Sequence, residues 1–333
     1  MSGRVVEGAH GGGGVESREL VRDLFLARLG NPVLNRLDDF GLVDLPPGRV
    51  ALTTDAFVVT PWRFPGGNLG DLAVCGTVND LAMSGARPRY LTAGFILPEG
   101  FPLADLEEVV DAMARRALQA GVEIVAGDTK VVDSGMGPFI TTAGVGVVPA
   151  GVVIAGDRAR VGDVVLLSGD IGRHGIAVLS RRAGLAFRTE VVSDVAPLGG
   201  LVAELLASGC EVHVLRDPTR GGVAGTLNEI AAQSGVEIEI DEQAIPVVAG
   251  VRSACDLLGF DPLHIANEGC MLAVVPGAEA ARALAALQGC PEGQRAVMIG
   301  RVRHGGARVV ARTPLGGRRL VDAPAGELLP RIC

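Results

Sequence analysis

Apolar residues recur along this chain with two different periods. Leu103, Leu106, Val110, Met113 and Ala117 follow a spacing of three to four and predict an amphipathic helix that ends at Gly121. Val236, Ile238 and Ile240 alternate with Glu237 and Glu239, the period of a half-buried strand. Further helices are predicted over residues 17–29 (closed by Gly30 and Pro32), 69–84, 174–183, 198–207, 223–232, 251–258 and 278–287. Strands are predicted at 122–126, 140–148, 164–167, 271–275 and 309–311, and residues 50–52 and 57–59 flank Thr53-Thr54-Asp55 as strand-like segments. The pattern restarts between Pro149 and Gly162. The expectation is an α/β chain of the α+β type. Its parts are a glycine-rich segment with a first helix (1–35), an N-terminal domain (36–150), a C-terminal domain (151–321) and a flexible tail (322–333).

Composition narrows the partners. Of 333 residues, 30 are Lys or Arg and 38 are Asp or Glu, for a net charge of −8, and 3% are aromatic. An acidic, aromatic-poor chain offers neither a phosphate-neutralising surface nor a stacking platform, so no nucleic-acid partner is expected. Mean hydropathy is +0.37, yet no apolar run approaches the ~20 residues a membrane helix needs, and the first residues lack a signal-peptide core. The cysteines, at 75, 210, 255, 270, 290 and 333, form no Cys-x-x-Cys pair. Reduced thiols in the cytoplasm are the expectation.

Lys130 is the sole lysine of the chain, the other cationic residues all being arginine. It lies in Gly127-Asp128-Thr129-Lys130, directly after a predicted strand. A compact ammonium kept where arginine is otherwise universal suggests a point-charge role at a phosphate or reacting centre. Asp55, Asp80, Asp128 and Asp217 read as loop carboxylates. Any one alone is an ordinary turn or cap residue, but carboxylates that converge are what Mg²⁺ uses when it bridges to phosphates. Gly11-Gly12-Gly13-Gly14 and Gly221-Gly222 could bring backbone N–H groups to phosphate oxygens. Neither stretch matches the P-loop pattern, and no Gly-x-Gly-x-x-Gly fingerprint is present. Residues 1–14 are expected to be mobile unless something is bound there. His10, among those glycines, reads as a nucleotide contact. Glu268, in Ala266-Asn267-Glu268-Gly269, reads as a loop carboxylate free to act as acid or base. Cys333 ends the chain on a segment punctuated by Pro324, Gly326 and Pro330, which suggests a thiol on a swinging arm.

Taken together, Ala9-His10-Gly11-Gly12-Gly13-Gly14, Thr54-Asp55, residues 64–68 (Phe-Pro-Gly-Gly-Asn), residues 75–80 (Cys-Gly-Thr-Val-Asn-Asp), residues 127–132, residues 216–222, residues 266–269 and the terminal Pro330-Arg331-Ile332-Cys333 resemble the HypE family of hydrogenase maturation proteins. That family falls in the superfamily of aminoimidazole ribonucleotide synthetase and selenophosphate synthetase. Gly12 stands where some relatives have Ser. The resemblance implies a PurM-like homodimer whose N-terminal domains share a β-barrel, with ATP and Mg²⁺ as cofactors. It implies ATP-dependent dehydration of an S-carbamoyl group on Cys333 to a thiocyanate, the source of cyanide for the iron of [NiFe] hydrogenase. A HypF-like carbamoyltransferase would load the thiol and a HypC–HypD complex would accept the cyanide. On this basis Cys333, Lys130 and Glu268 are the expected catalytic residues, and Asp55, Asp80 and Asp128 the expected metal ligands. His10, Gly11 to Gly14, Asn79, Thr129, Asp217 and Asn267 are the expected nucleotide contacts. Two other readings are another ATP-using member of the superfamily, such as selenophosphate synthetase, and a non-catalytic carrier. The reactive residue of selenophosphate synthetase lies near its N-terminus, whereas the first cysteine here is Cys75.

Overall fold

A computed structural model describes residues 4–133, 135, 137–183 and 191–323. The glycine-rich segment is pinned to the body. Val6 is fully buried, its N–H donates to Phe101 O at 2.7 Å, and Leu103 N–H donates to Arg4 O at 2.9 Å. Burial of Val6 is why residues 4–14 have a fixed course where sequence suggested none. A short 3₁₀ turn at Gly8–Gly11 leads into α1 (Val15–Leu20), which continues through a π turn (Val21–Leu26) to α2 (Ala27–Leu29).

The N-terminal half contains β1 (Arg49–Phe57), the short hairpin β2 (Arg63–Phe64) and β3 (Gly67–Asn68), α3 (Leu69–Met83), β4 (Arg87–Pro98), α4 (Leu103–Ala120), β5 (Glu123–Val132) and β6 (Phe139–Val148). The main sheet runs β1-β6-β4-β5; its one parallel pair, β4 with β5, is joined by the crossover helix α4. Asn68 caps α3 by accepting from Gly70 N–H at 2.8 Å, while Asp71 Oδ2 accepts from Asn68 N–H at 2.9 Å. Leu69, Leu72, Val74 and Val78 then bury α3 against the sheet and α4.

The second half adds β7 (Asp163–Leu167), α5 (Arg173–Arg182), α6 (Gly199–Ala207), β8 (Val214–Arg216), α7 (Gly222–Ser234), β9 (Glu237–Asp241), α8 (Ala249–Leu258), β10 (Leu272–Pro276), α9 (Ala280–Gln288), β11 (Val297–Arg303), β12 (Arg308–Arg312) and β13 (Arg318–Leu320). Its seven-stranded sheet has the order β13-β12-β9-β11-β7-β10-β8. Both faces are covered, as the unbroken apolar run of β7 requires. Val165 and Leu167 pack with α7, and Val164 and Leu166 with α6 and α9. Among the described residues, no helix is long and apolar enough to cross a membrane.

Three of the four acids read from sequence as loop residues stand on regular elements. Asp55 lies inside β1 and Asp80 in the last turn of α3. Asp128 lies inside β5, which runs on to Val132 instead of ending at residue 126. Pairing with β4 carries β5 through its glycine and polar positions. β4 itself was hidden by Pro88, Gly94 and Pro98, and β8, β11 and β13 were also missed.

Candidate active site

α3 is buried on every side by the N-terminal sheet, α4 and the second domain, and Asp80 is its one exposed residue. Thr53 Oγ1 donates to Asp80 Oδ2 at 2.9 Å, tying the helix end to β1. Two residues along β1, Asp55 Oδ2 accepts from Thr77 Oγ1 at 3.2 Å, and Thr77 in turn lies 2.5 Å from Thr142 Oγ1 on β6. Burial, with the neighbouring Asp80 charge, raises the Asp55 carboxyl to about 6; the Thr77 hydroxyl and Arg220 oppose the shift. Asp217, just past β8, is raised to about 7, by burial first and then by Asp80. Glu268 is pushed well above its ordinary range by burial and then by Asp194, Asp217, Asp55 and Asp80. Four candidate carboxylates from separate elements of both domains therefore share one electrostatic neighbourhood.

Asn79 and Asn267 brace this junction from inside. Asn79 is buried; its Nδ2 donates to Ala196 O at 3.1 Å and Glu268 O at 3.3 Å, and its Oδ1 accepts from Leu198 N–H at 2.7 Å. Asn267 Oδ1 accepts from Gly172 N–H at 2.7 Å, and its Nδ2 donates to Pro218 O at 2.9 Å, beside Asp217. With all these groups hydrogen-bonded to backbone, the two asparagines brace the junction.

A second group sits at the opposite edge of the N-terminal sheet. Lys130 Nζ lies 2.8 Å from Asp128 Oδ2, and that cation with the Thr129 N–H holds the Asp128 carboxyl below its usual range. His10 is buried, its Nδ1 accepting from Glu7 N–H at 2.9 Å. Ser17 Oγ accepts from Gly13 N–H and donates to His10 O, closing the glycine loop; a Cβ on Gly11 would stand 2.6 Å from Val131 N. The loop therefore covers β5 of its own chain.

His10, Gly11, Gly13, Asp128, Thr129 and Lys130 line a cavity of about 570 Å³. Apolar side chains including Phe25, Leu34 and Phe95 line it as well. A cavity whose lining mixes apolar walls with charged and glycine-backbone groups suits a base joined to phosphates. Asp38 and Asp39 also line it; neither stands among the residues that the sequence pattern marked.

Asp128 is not brought to Asp55 and Asp80. β5 and β1 are the two edge strands of a four-stranded sheet, three inter-strand steps or roughly 14 Å apart. Among the described residues no group of three His, Cys, Asp or Glu stands ready to hold a metal ion. Asp55 with Asp80 nevertheless fits Mg²⁺, which commonly takes one or two carboxylates and completes its shell with waters and substrate phosphates. Cys333 lies outside the described residues.

This architecture defines a class. The family model described as AIR synthase related protein, N-terminal domain, matches residues 37–148, and its C-terminal counterpart matches residues 160–312. A carbamoyl dehydratase HypE of Azotobacter vinelandii is 53% identical over 98% of this chain and 97% of its own length. A crystal structure of hydrogenase maturation protein HypE in complex with ATP superposes with a TM-score of 0.95 at 47% identity, covering 98% of this chain and 99% of that one. The HypE chain of a HypE–HypF complex matches with a TM-score of 0.81 at 47% identity, covering 92% and 99%. The chain belongs to the HypE family of carbamoyl dehydratases, within the AIR synthase related proteins.

Proposed function

We propose that this protein dehydrates an S-carbamoyl group on its own Cys333 to a thiocyanate at the expense of ATP, supplying cyanide for the iron of [NiFe] hydrogenase. The observation that carries the reading is the convergence of Asp55, Asp80, Asp217 and Glu268 at the domain junction, where a cation and a proton acceptor are both provided for. The relative solved with ATP supports ATP as the phosphoryl donor.

A thiocarbamate oxygen is a poor leaving group. Its attack on the γ-phosphorus expels ADP and converts that oxygen into part of a phosphate ester. The C–O bond then breaks, phosphate departs with the carbamoyl oxygen, and loss of both N–H protons leaves S–C≡N. Glu268, buried and with its proton affinity raised, is the proton acceptor in this reading. Lys130 offsets charge on the transferring phosphoryl or the carbamoyl oxygen. Mg²⁺, when bound by Asp55 and Asp80 beside Asp217, supplies charge neutralisation for the phosphates.

A homodimer fits the outer face of the sheet, which exposes Leu52 (77%), Val50 and Ile96. Joining two such faces in a shared barrel would bring Asp128 and Lys130 of one chain toward the acids at the β1 edge of the other. That resolves their separation within one chain. A HypF-like carbamoyltransferase as the loading partner is supported by the relative solved with HypF. A HypC–HypD complex as acceptor and the cytoplasm as the site of action complete the reading; the five cysteines among the described residues are free, in keeping with a reducing compartment.

The test is a mass spectrum of the C-terminal peptide after carbamoyl loading and ATP addition. The expected result is a gain of one carbamoyl group on Cys333, followed by loss of one water. A carbamoyl adduct that persists through ATP turnover would count against the reading.

A further inference from the structure

Glu268 sits on a short loop between domains, and a proton acceptor works only where its carboxyl is held still. We infer that Asp194 is the positioning residue for Glu268: one of its carboxylate oxygens fixes the 268–269 backbone, and the segment that carries Asp194 is itself anchored to both domains. This rests on Glu268 being the proton acceptor proposed above.

Asp194 Oδ2 accepts from Glu268 N–H at 3.1 Å and from Gly269 N–H at 2.9 Å. Two adjacent N–H groups converging on a single anionic oxygen fix the direction of the loop at the residue whose side chain reacts. Residue 269 is glycine for a steric reason, because a Cβ there would collide with the Asp194 carbonyl oxygen. The return contact, Ala196 N–H to Glu268 O at 3.4 Å, closes the pairing from the other side.

The support beneath Asp194 is rigid. Ser193 N–H donates to Pro65 O at 2.8 Å and Ser193 Oγ lies 2.9 Å from His174 Nδ1. Arg116 of α4 donates to Val195 O at 3.1 Å while its Nε pairs with the buried Asp71 at 2.7 Å. Asn79 accepts from Leu198 N–H. Residues 193–198 are thus held by β2–β3, α3, α4 and α5 together, and Asp194 is their one link into the reacting loop's amides.

The second oxygen of Asp194 is buried without a hydrogen-bond partner among the described residues, an arrangement that packing alone does not require. It keeps a carboxylate beside Glu268 at the expense of desolvation, and Asp194 is the largest of the charges that raise the Glu268 carboxyl. The other ionisable groups facing Glu268 are Asp217 after β8, Asp55 on β1, and Asp80 and Cys75 on α3. Asp194 in turn faces Arg173 at the start of α5. Asp194 therefore sets both where Glu268 points and how strongly it holds a proton.

The test compares Asp194→Asn, Asp194→Ala and Glu268→Gln in the full chain loaded with carbamoyl on Cys333. Thiocyanate formation is followed across the neutral pH range, and amide exchange at residues 268 and 269 is measured without substrate. Asp194→Asn keeps an oxygen acceptor and loses the charge, so the rising limb of the rate profile should move about one unit to lower pH, with slow exchange retained. Asp194→Ala should speed exchange at both amides and lower kcat on the order of 100-fold with KM for ATP unchanged. If Asp194→Ala fails to fold, the Asn variant and its pH limb carry the decision. Parental exchange and an unmoved limb in an Asp194 variant, with Glu268→Gln inactive, would overturn this inference and leave the proposed function standing. A Glu268→Gln variant as active as the parent would instead remove the proton-acceptor role itself.

Discussion

Asn79 on α3 donates to the carbonyl oxygen of Glu268 at 3.3 Å, so the helix that presents Asp80 also holds the loop that presents Glu268. Helix and loop belong to different domains and are joined here by one buried amide.

Asn79→Ala should consequently affect stability and turnover together. It would strand Ala196 O and Leu198 N–H, each of which loses a partner worth about 1–3 kcal/mol when buried, and leave Glu268 O with only the long Ala196 N–H contact. The expected outcome is a lower midpoint in urea and a reduced kcat, with ATP affinity changed less. Parental kcat in a destabilised variant would show that the brace is structural only.

Without divalent cation, stability should fall as pH rises toward neutrality. Asp55 and Asp217 are raised from the ordinary 3.8 to about 6 and about 7. Between those limits the folded protein holds protons that the unfolded chain has released, so ΔG of unfolding decreases with rising pH. Mg²⁺ competes for the same carboxylates and should raise the melting temperature at pH 8 by on the order of 3 °C or more, with little effect at pH 5. Asp55→Asn and Asp80→Asn should abolish the Mg²⁺ effect. A cation response independent of pH and of both residues would contradict this assignment.

Lys130→Arg should fold as the parent does and lose dehydration by roughly 100-fold, because a planar guanidinium does not replace a compact ammonium at a phosphoryl oxygen. Steady-state kinetics with carbamoylated protein would measure it. Undiminished turnover would make Lys130 a partner of Asp128 and nothing more.

A composite site built from two chains predicts complementation. Lys130→Arg and Asp80→Asn homodimers should each be nearly inactive. After subunit exchange their equimolar mixture should recover about one quarter of the parental rate, since half of the dimers are mixed and each mixed dimer has one intact site. Leu52→Glu, on the exposed sheet face, should give a monomer in sedimentation. No recovery on mixing would mean that each chain carries a complete site.

Much of this was legible before any coordinates. Helical period and glycine stops marked α4 closely, and alternation marked β9, because both depend on one exposed and one buried face. β4 was not legible, since its prolines and Gly94 read as breaks and only pairing with β5 and β6 overrides them. Asp55, Asp80 and Glu268 were visible as chemistry. The bracing contacts of Asn79 and Asn267 were not, because a brace is defined by partners distant in the chain, 117 to 189 residues away for Asn79 and up to 95 for Asn267. The separation of Asp128 from Asp55 and Asp80 within one chain was hidden for a related reason: sequence gives no strand order, and β5 lies at the far edge from β1.

The most direct measurement is the fate of the thiol at residue 333. The parent and Cys333→Ala are each incubated with a carbamoyl donor system and ATP, and the C-terminal peptide is analysed by mass spectrometry alongside nucleotide binding. The account predicts that both proteins bind ATP, that only the parent acquires a carbamoyl group, and that this group loses one water in step with phosphate release. Adducts on Cys75, Cys210, Cys255, Cys270 or Cys290 with residue 333 unmodified would contradict it.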